Sequence, residues 1–341
     1  MDIREKRIKE LNSMVDQENI KCCKAYETIE SRAHFLRAKG VISRMDYSDT
    51  MAKVVHPLIH TYDDYVDDSL TYRWFLSDLY GQVLDIYQQY QKREGPEVIE
   101  INDKKIKALF LDFLKYINID KLYESIKKKG MITLTDDVQD KNGYVLFSGS
   151  LSYIVLKNSA DKLQLYSTFA HEMGHAFASH VVRKRGVYQY KLPVAAESVS
   201  ILIQRMFHQY LLDNSLLDSE SVGSKENIVT NSYRIVTKRA KKSLDLLDNS
   251  KVPYKFTGST LKYSENGKVV SRSLYDNVYA IGNLVSINLL QAYKRDPDYF
   301  IQHLPDTAFE LYTKSTDFLT FEDISLDALK SHLDKHMVKK I

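Results

Sequence analysis

Turn-forming residues are scarce in this chain. Only 12 glycines and 6 prolines stand among its 341 residues, too few to punctuate many short strands, so long helices have to carry most of the fold. Hydrophobic residues make up 44% of the sequence, enough to bury a substantial core at this length. The expected architecture is mainly α. Amphipathic periodicity predicts helices around 4–16, 18–39, 46–66 and 70–93, and again near 103–117 and 119–129, on either side of a break at Arg93-Glu94-Gly95-Pro96 and an extended piece at 97–101. From about 131 to 157 the character changes to strands: Met131 to Thr135, Gly143 to Phe147 and Ser152 to Leu156, separated by Asp, Asn, Gly and Ser.

Charge excludes some partners. The 48 basic and 45 acidic residues are interspersed and leave a net charge of +3, so no field points to nucleic acid. Basic runs such as Lys127-Lys128-Lys129 read as solvated helix faces. The 24 tyrosines suit a peptide-binding groove as well as ordinary packing. The two cysteines, Cys22 and Cys23, are adjacent, poor geometry for a mutual disulfide. Together with an amino terminus lacking an apolar run, they lead us to expect a cytoplasmic protein without a membrane partner. Oligomeric state is not legible.

The segment Leu165 to Arg185 carries Tyr166, Phe169, Ala170, Met173, Ala176, Phe177 and Val181 at three- and four-residue intervals, the stripe of a core-facing helix. Asn158-Ser159 can cap its start, and Arg183, Lys184, Arg185 and Gly186 suit its end. Within it, His171 and His175 are four residues apart on one face, where both imidazoles reach one ion. Glu172 projects from an adjacent face, placed to take a proton from water. This His-Glu-x-x-His arrangement is a zinc signature. His180 turns away from that face and reads as a surface residue.

A catalytic zinc takes three protein ligands and keeps one position open. Pro193 opens a second apolar helix running to about Asp213, with Glu197 one turn in among Val and Ala. A carboxylate there is costly to bury unless it is paired or bound to metal. Glu197 is therefore the expected third ligand, ahead of Glu220 and of His208, which shares its helical angle but lies far along the axis. Ser200 shares the face of Glu197 and can support a ligand by hydrogen bonding.

On these blocks the sequence resembles the thimet oligopeptidase / oligoendopeptidase F family of zinc peptidases, over roughly residues 105–325. AHEMGHAFASH is similar to the family's metal helix, and AAESVS to its Glu-x-x-Ser block. The resemblance implies a zincin-like helical metallopeptidase with a small antiparallel β-sheet beside the active-site helix. The segment NGYVLFSGSLSYIVLKN is similar to the family's hairpin that binds substrate backbone as an added strand. It implies that Gly143, Tyr144, Tyr153, Ile154 and Val155 bind substrate. Tyr275 to Gly282 resembles the family's tyrosine segment, which implies that Tyr275 and Tyr279 donate to the oxyanion.

Departures are equally visible. The family's histidine before the tyrosine segment is missing from 260–274, where an Asn266-Gly267 hairpin stands instead, and Ala178 replaces a further family histidine. The chain is also shorter than a typical member, which implies a more open cleft. The expectation is one peptidase unit over 1–341, comprising a helical scaffold at 1–129 and a catalytic subregion at 130–341. It would use one Zn2+ held by His171, His175 and Glu197, with Glu172 as general base and an oligopeptide as substrate. The alternative is a peptide-binding module that keeps the zinc site but has little or no turnover.

Overall fold

The computed structural model describes residues 32–47, 49–50, 78–93, 101–136, 142–148, 151–185, 193–215, 219–248, 254–257, 260–265, 268–273, 275–313 and 325–340. The expected helices at 4–16 and most of 18–39 and 46–66 lie outside these residues, as does the extended piece at 97–100. In chain order the elements are α1 (Asp78–Gln88), β1 (Tyr90–Gln91), α2 (Asp103–Tyr116), α3 (Asp120–Lys128), β2 (Ile132–Thr135), β3 (Gly143–Ser148) and β4 (Leu151–Lys157). There follow α4 (Lys162–Lys184), α5 (Pro193–Asp213), α6 (Ser219–Asp248), β5 (Tyr254–Thr257), β6 (Thr260–Glu265), β7 (Lys268–Ser273), α7 (Tyr275–Arg295), α8 (Pro297–Thr313), α9 (Leu326–His336) and β8 (Val338–Lys339). The chain is mainly helical, as its few turn residues require. Among the described residues no helix is long and apolar enough to cross a membrane.

The chain divides into two compact units, Met1–Tyr65 with Ile119–Ala160, and Val66–Asn118 with Asp161–Ile341. In the first, β3 and β4 form an antiparallel hairpin with Tyr144 opposite Val155. The strand β2 joins the other side of β4 in parallel, Ile132 opposite Ile154. The sheet order is therefore β2-β4-β3, which makes this sheet mixed, while the second sheet described below is wholly antiparallel. The apolar run Tyr153-Ile154-Val155-Leu156 fits a central strand covered on both faces. Tyr153 and Val155 pack with Phe35 from a helical stretch at 32–38, and Ile154 and Leu156 are fully buried.

The second unit is built around α5, whose residues from Ser198 to His208 are all buried, polar ones included. It packs most extensively against α4 and α7. Aromatic rings from α2, α4 and α5 lock this core: Phe110 stacks on Phe169 at 4.7 Å and meets Phe207 edge-on at 5.7 Å. Such pairs add about 0.5–1.5 kcal/mol each beyond area burial. The sheet β5-β6-β7 is antiparallel. Glu265 pairs with Lys268, which is the register of a two-residue loop and fits the expected hairpin; Asn266 and Gly267 themselves lie outside the described residues. On another side, Val83, Ile86 and Tyr87 of α1 pack with Leu284 and Ile287 of α7 and Leu329 and Leu333 of α9.

The helix α9 buries two histidines one turn apart, His332 and His336, with rings 4.7 Å apart. Burial and the Arg205 charge push His332 down to about 4; burial and the neighbouring His332 push His336 down to about 2. Both folded values lie below the ordinary imidazole value of about 6.5. The unfolded chain thus takes up protons that the folded chain refuses, and stability falls as pH drops from about 6.5 towards 4. Denaturant titrations across that window should show this decline, and His336→Gln should flatten it.

Candidate metal centre

The helix that carries the two histidines begins three residues earlier than its periodicity suggests. Asp161, not Asn158 or Ser159, caps it: Asp161 Oδ1 accepts from the Gln164 amide at 2.9 Å. The other oxygen of Asp161 pairs with the buried Lys225 of α6. The cap is therefore tied into the core, which fixes the helix along its axis as well as satisfying its first turn. All seven residues of the predicted stripe are buried.

His171 and His175 stand one turn apart with ring centroids 4.9 Å apart and planes at 84°. Between them, from the neighbouring helix, comes Glu197. Its Oε2 lies 3.4 Å from His171 Nε2 and its Oε1 3.6 Å from His175 Nε2. The two imidazole nitrogens and the carboxylate oxygen lie within 4.8 Å of one another. Two nitrogens and one carboxylate oxygen are a donor set that zinc takes at catalytic sites, and the buried carboxylate matches a cation between the rings. The residues present fit such an ion.

Two glycines make this convergence possible. A Cβ on Gly174 would stand 2.5 Å from Ser200 Cα, so the backbones of α4 and α5 touch at that point. A Cβ on Gly282 would stand 2.9 Å from Glu197 Cβ, so α7 closes on α5 from another direction. Ser200 Oγ donates to the Glu197 carbonyl at 3.0 Å and lies 3.4 Å from Glu197 Oε2, the supporting contact expected of it.

The charges follow from this packing. Burial raises Glu197, but the charges of His175 and His171 and hydrogen bonds from His171 and Tyr279 outweigh it and hold the carboxyl below its usual range. Burial opposes charge on both rings. The Glu197 hydrogen bond and the Glu172 charge nevertheless carry His171 up, while burial and His171 push His175 down to about 4. A metal ion entering the site would compete with protons for the same ligand atoms.

The structure brings together His171, Glu172, His175, Glu197 and Tyr279. Glu172 is buried at 5% exposure, and its charge acts on His171. Tyr279 is partly buried on α7 and gives its hydroxyl to Glu197. Tyr275 opens the same helix; its side chain lies outside the described residues, as does that of Glu220. Gly143 and Tyr144 lie on β3, an outer strand of the first unit, whereas Tyr153, Ile154 and Val155 lie on the central strand β4. That strand is paired on both sides, so the last three cannot receive an added strand through their main chain. His180 is exposed. His208 bonds Ser167 and Glu226.

Three contributors escaped the sequence reading. Gln204 hydrogen-bonds His171, and its position seven residues after Glu197 was the available signal, since that spacing keeps one helix face. Tyr233 of α6 packs with Ile201 and Tyr279; burial and the nearby charge of Glu197 raise its phenol strongly. Nothing in its sequence context singles it out among 24 tyrosines. Gly282 was legible only as part of the tyrosine segment.

No protein-family model matches the chain, and no curated protein matches it. Among solved structures, the chain is similar to that titled "Crystal structure of a putative oligoendopeptidase F from Bacillus anthracis str. Ames", at 13% sequence identity and a TM-score of 0.47. The match covers 91% of this chain and 61% of that one, so this chain spans about three-fifths of the length of the protein it matches.

Close helix approach at Gly174 has a measurable consequence. Gly174→Ala should destabilise the fold by ~1–3 kcal/mol, because the added methyl meets backbone and not a movable side chain. Gly81→Ala on α1, where a Cβ meets nothing within 4 Å, should instead stabilise by about 0.5–1 kcal/mol. Equilibrium denaturation of both variants reads the contrast in sign.

Proposed function

We propose that this chain is a zinc-dependent endopeptidase that hydrolyses oligopeptides. The observation that carries the reading is the convergence of His171, His175 and Glu197 from two helices at a spacing fit for one ion, with a buried Glu172 beside them. His171, His175 and Glu197 would hold a zinc ion, which would supply an acidified water and a Lewis-acid contact for the scissile carbonyl. The likeness of the HEMGH, AAESVS and YDNVYAIG segments to the thimet oligopeptidase / oligoendopeptidase F family supports the same chemistry.

The roles of the protein groups follow from chemistry and placement. Glu172, buried and next to His171, is the general base that takes the proton of the attacking water and delivers it to the leaving amine nitrogen. Tyr279 is committed to Glu197 through its hydroxyl, so its work is to hold that carboxylate. Tyr275, one turn earlier on α7, is the phenol assigned to the developing oxyanion. An extended peptide would take its main-chain hydrogen bonds from β3, through Gly143 and Tyr144, with Tyr153, Ile154 and Val155 backing that strand in the sheet.

Glu172→Gln tests the reading. The amide keeps the size and burial of the side chain but cannot accept the proton. Zinc content by metal analysis should stay at one ion per chain, while cleavage of a mixed peptide library, read by mass spectrometry, should fall about 100-fold or more. Cleavage equal to wild type would contradict the proposed base. Peptide binding by a zinc-loaded wild type that cleaves nothing would favour a binding module.

A further inference from the structure

A continuous hydrogen-bonded chain runs away from the metal-site histidine through the interior of the second unit. Gln204 bonds His171, and its Nε2 donates to Ser167 Oγ at 2.9 Å. Ser167 Oγ lies 2.8 Å from His208 Nε2, and His208 Nδ1 lies 2.7 Å from Glu226 Oε2. Glu226 is anchored in turn: Arg205 Nε donates to its Oε1 at 2.9 Å, and His332 Nε2 lies 3.3 Å from the same oxygen. Gln204 is 6% exposed, Ser167 0%, His208 2% and Glu226 3%. None of these groups has water to fall back on, so each bond is costly to lose.

The order of donors closes in one direction for a neutral imidazole. Glu226, anchored by Arg205, accepts the His208 Nδ1–H. The His208 Nε2 lone pair then accepts the Ser167 hydroxyl hydrogen, and Ser167 Oγ accepts from the Gln204 amide. The Gln204 oxygen is left to accept the remaining N–H of His171, whose Nε2 faces Glu197 at 3.4 Å. A metal-binding histidine needs this: one ring nitrogen held as N–H by a fixed acceptor, the other kept as a lone pair for the ion.

The geometry points to Gln204, Ser167 and His208 as positioning residues for the metal site: the chain from Glu226 fixes the orientation of the Gln204 amide, and the amide fixes the ring and tautomer of His171. Ser167 lies four residues before His171 on α4, while Gln204 and His208 lie seven and eleven after Glu197 on α5. The chain therefore stitches the two metal-bearing helices together along one polar seam. An amide needs such a chain more than a carboxylate would, because its flipped form would present N–H to an N–H of His171.

The inference rests on the zinc reading above, and its test separates the two. Zinc dissociation constants are measured by chelator competition on the full chain, with circular dichroism and unfolding of the metal-free proteins as the check on folding. Gln204→Leu and Ser167→Ala should each weaken zinc binding by about 10- to 100-fold. Gln204→Glu, whose carboxylate accepts from His171 in either orientation while Ser167 turns its one hydrogen to it from His208, and His208→Gln, which can still accept from Ser167 and donate to Glu226, should both stay within about threefold of wild type. Should Ser167→Ala prove unstable, the contrast between Gln204→Leu and Gln204→Glu carries the same test. Wild-type affinity in folded Ser167→Ala or Gln204→Leu would overturn the positioning role and leave the zinc site standing. Losses in Gln204→Glu and His208→Gln as large as in the disruptive variants would overturn it too, since packing and not hydrogen bonding would then be at work. A wild-type chain that takes up no zinc would overturn both readings.

Discussion

A carboxylate held almost out of water between two imidazoles is the arrangement around which the second unit is organised. Glu197 is 3% exposed, and an isolated ionised carboxylate in such a place is strongly unfavourable. Two conditions make it tolerable. The helix that bears it must come within backbone contact of the histidine helix, and its oxygens must be met by donors. Gly174 satisfies the first from α4, and Gly282 lets α7 close from another direction. His171, Tyr279 and Ser200 satisfy the second, and His175 Nε2 lies 3.6 Å from Oε1. Glycine serves here for its missing Cβ, since neither position has a left-handed backbone.

That requirement explains why α5, at the heart of the core, is not simply apolar. One face carries Val199, Leu202, Ile203, Met206 and Phe207, all buried, and supplies packing. Another carries Glu197, Gln204, Arg205 and His208, also buried and each hydrogen-bonded. Arg205 illustrates how complete the pairing is: Glu226, Asn283 and Ser286 all take its donors at 2.8–2.9 Å. Buried hydrogen bonds of this kind hold neighbouring elements in one arrangement, because each is costly to break away from water. The same network passes through Asn283 to Tyr87 of α1 and through Thr230 to His332 of α9. Distant parts of the second unit are thus joined by hydrogen bonds to the helix that carries Glu197.

Much of the site was legible because it is local. Two histidines at a four-residue spacing and a glutamate one turn inside the next helix can be read from helical geometry alone, and the strands at 132–135, 143–148 and 151–157 from alternation and turn residues. What stayed hidden is non-local. The parallel pairing of β2 with β4 places Tyr153 to Val155 in mid-sheet, and no periodicity shows which neighbour a strand acquires. The true helix cap, Asp161, is chosen by its buried partner Lys225, 64 residues away. His208 has the helical angle of a ligand, yet Ser167 and Glu226 claim both of its nitrogens.

On the proposed function, one carboxylate and two imidazoles from adjacent helices form a single metal site. X-ray absorption spectroscopy at the zinc edge, on protein loaded with one equivalent, tests it most directly. Two imidazole nitrogens at about 2.0–2.1 Å should be seen with oxygen donors at about 2.0–2.2 Å, and Glu197→Ala should lower the oxygen count while keeping both imidazoles. A spectrum with one imidazole or none, or one unchanged by Glu197→Ala, would contradict the account.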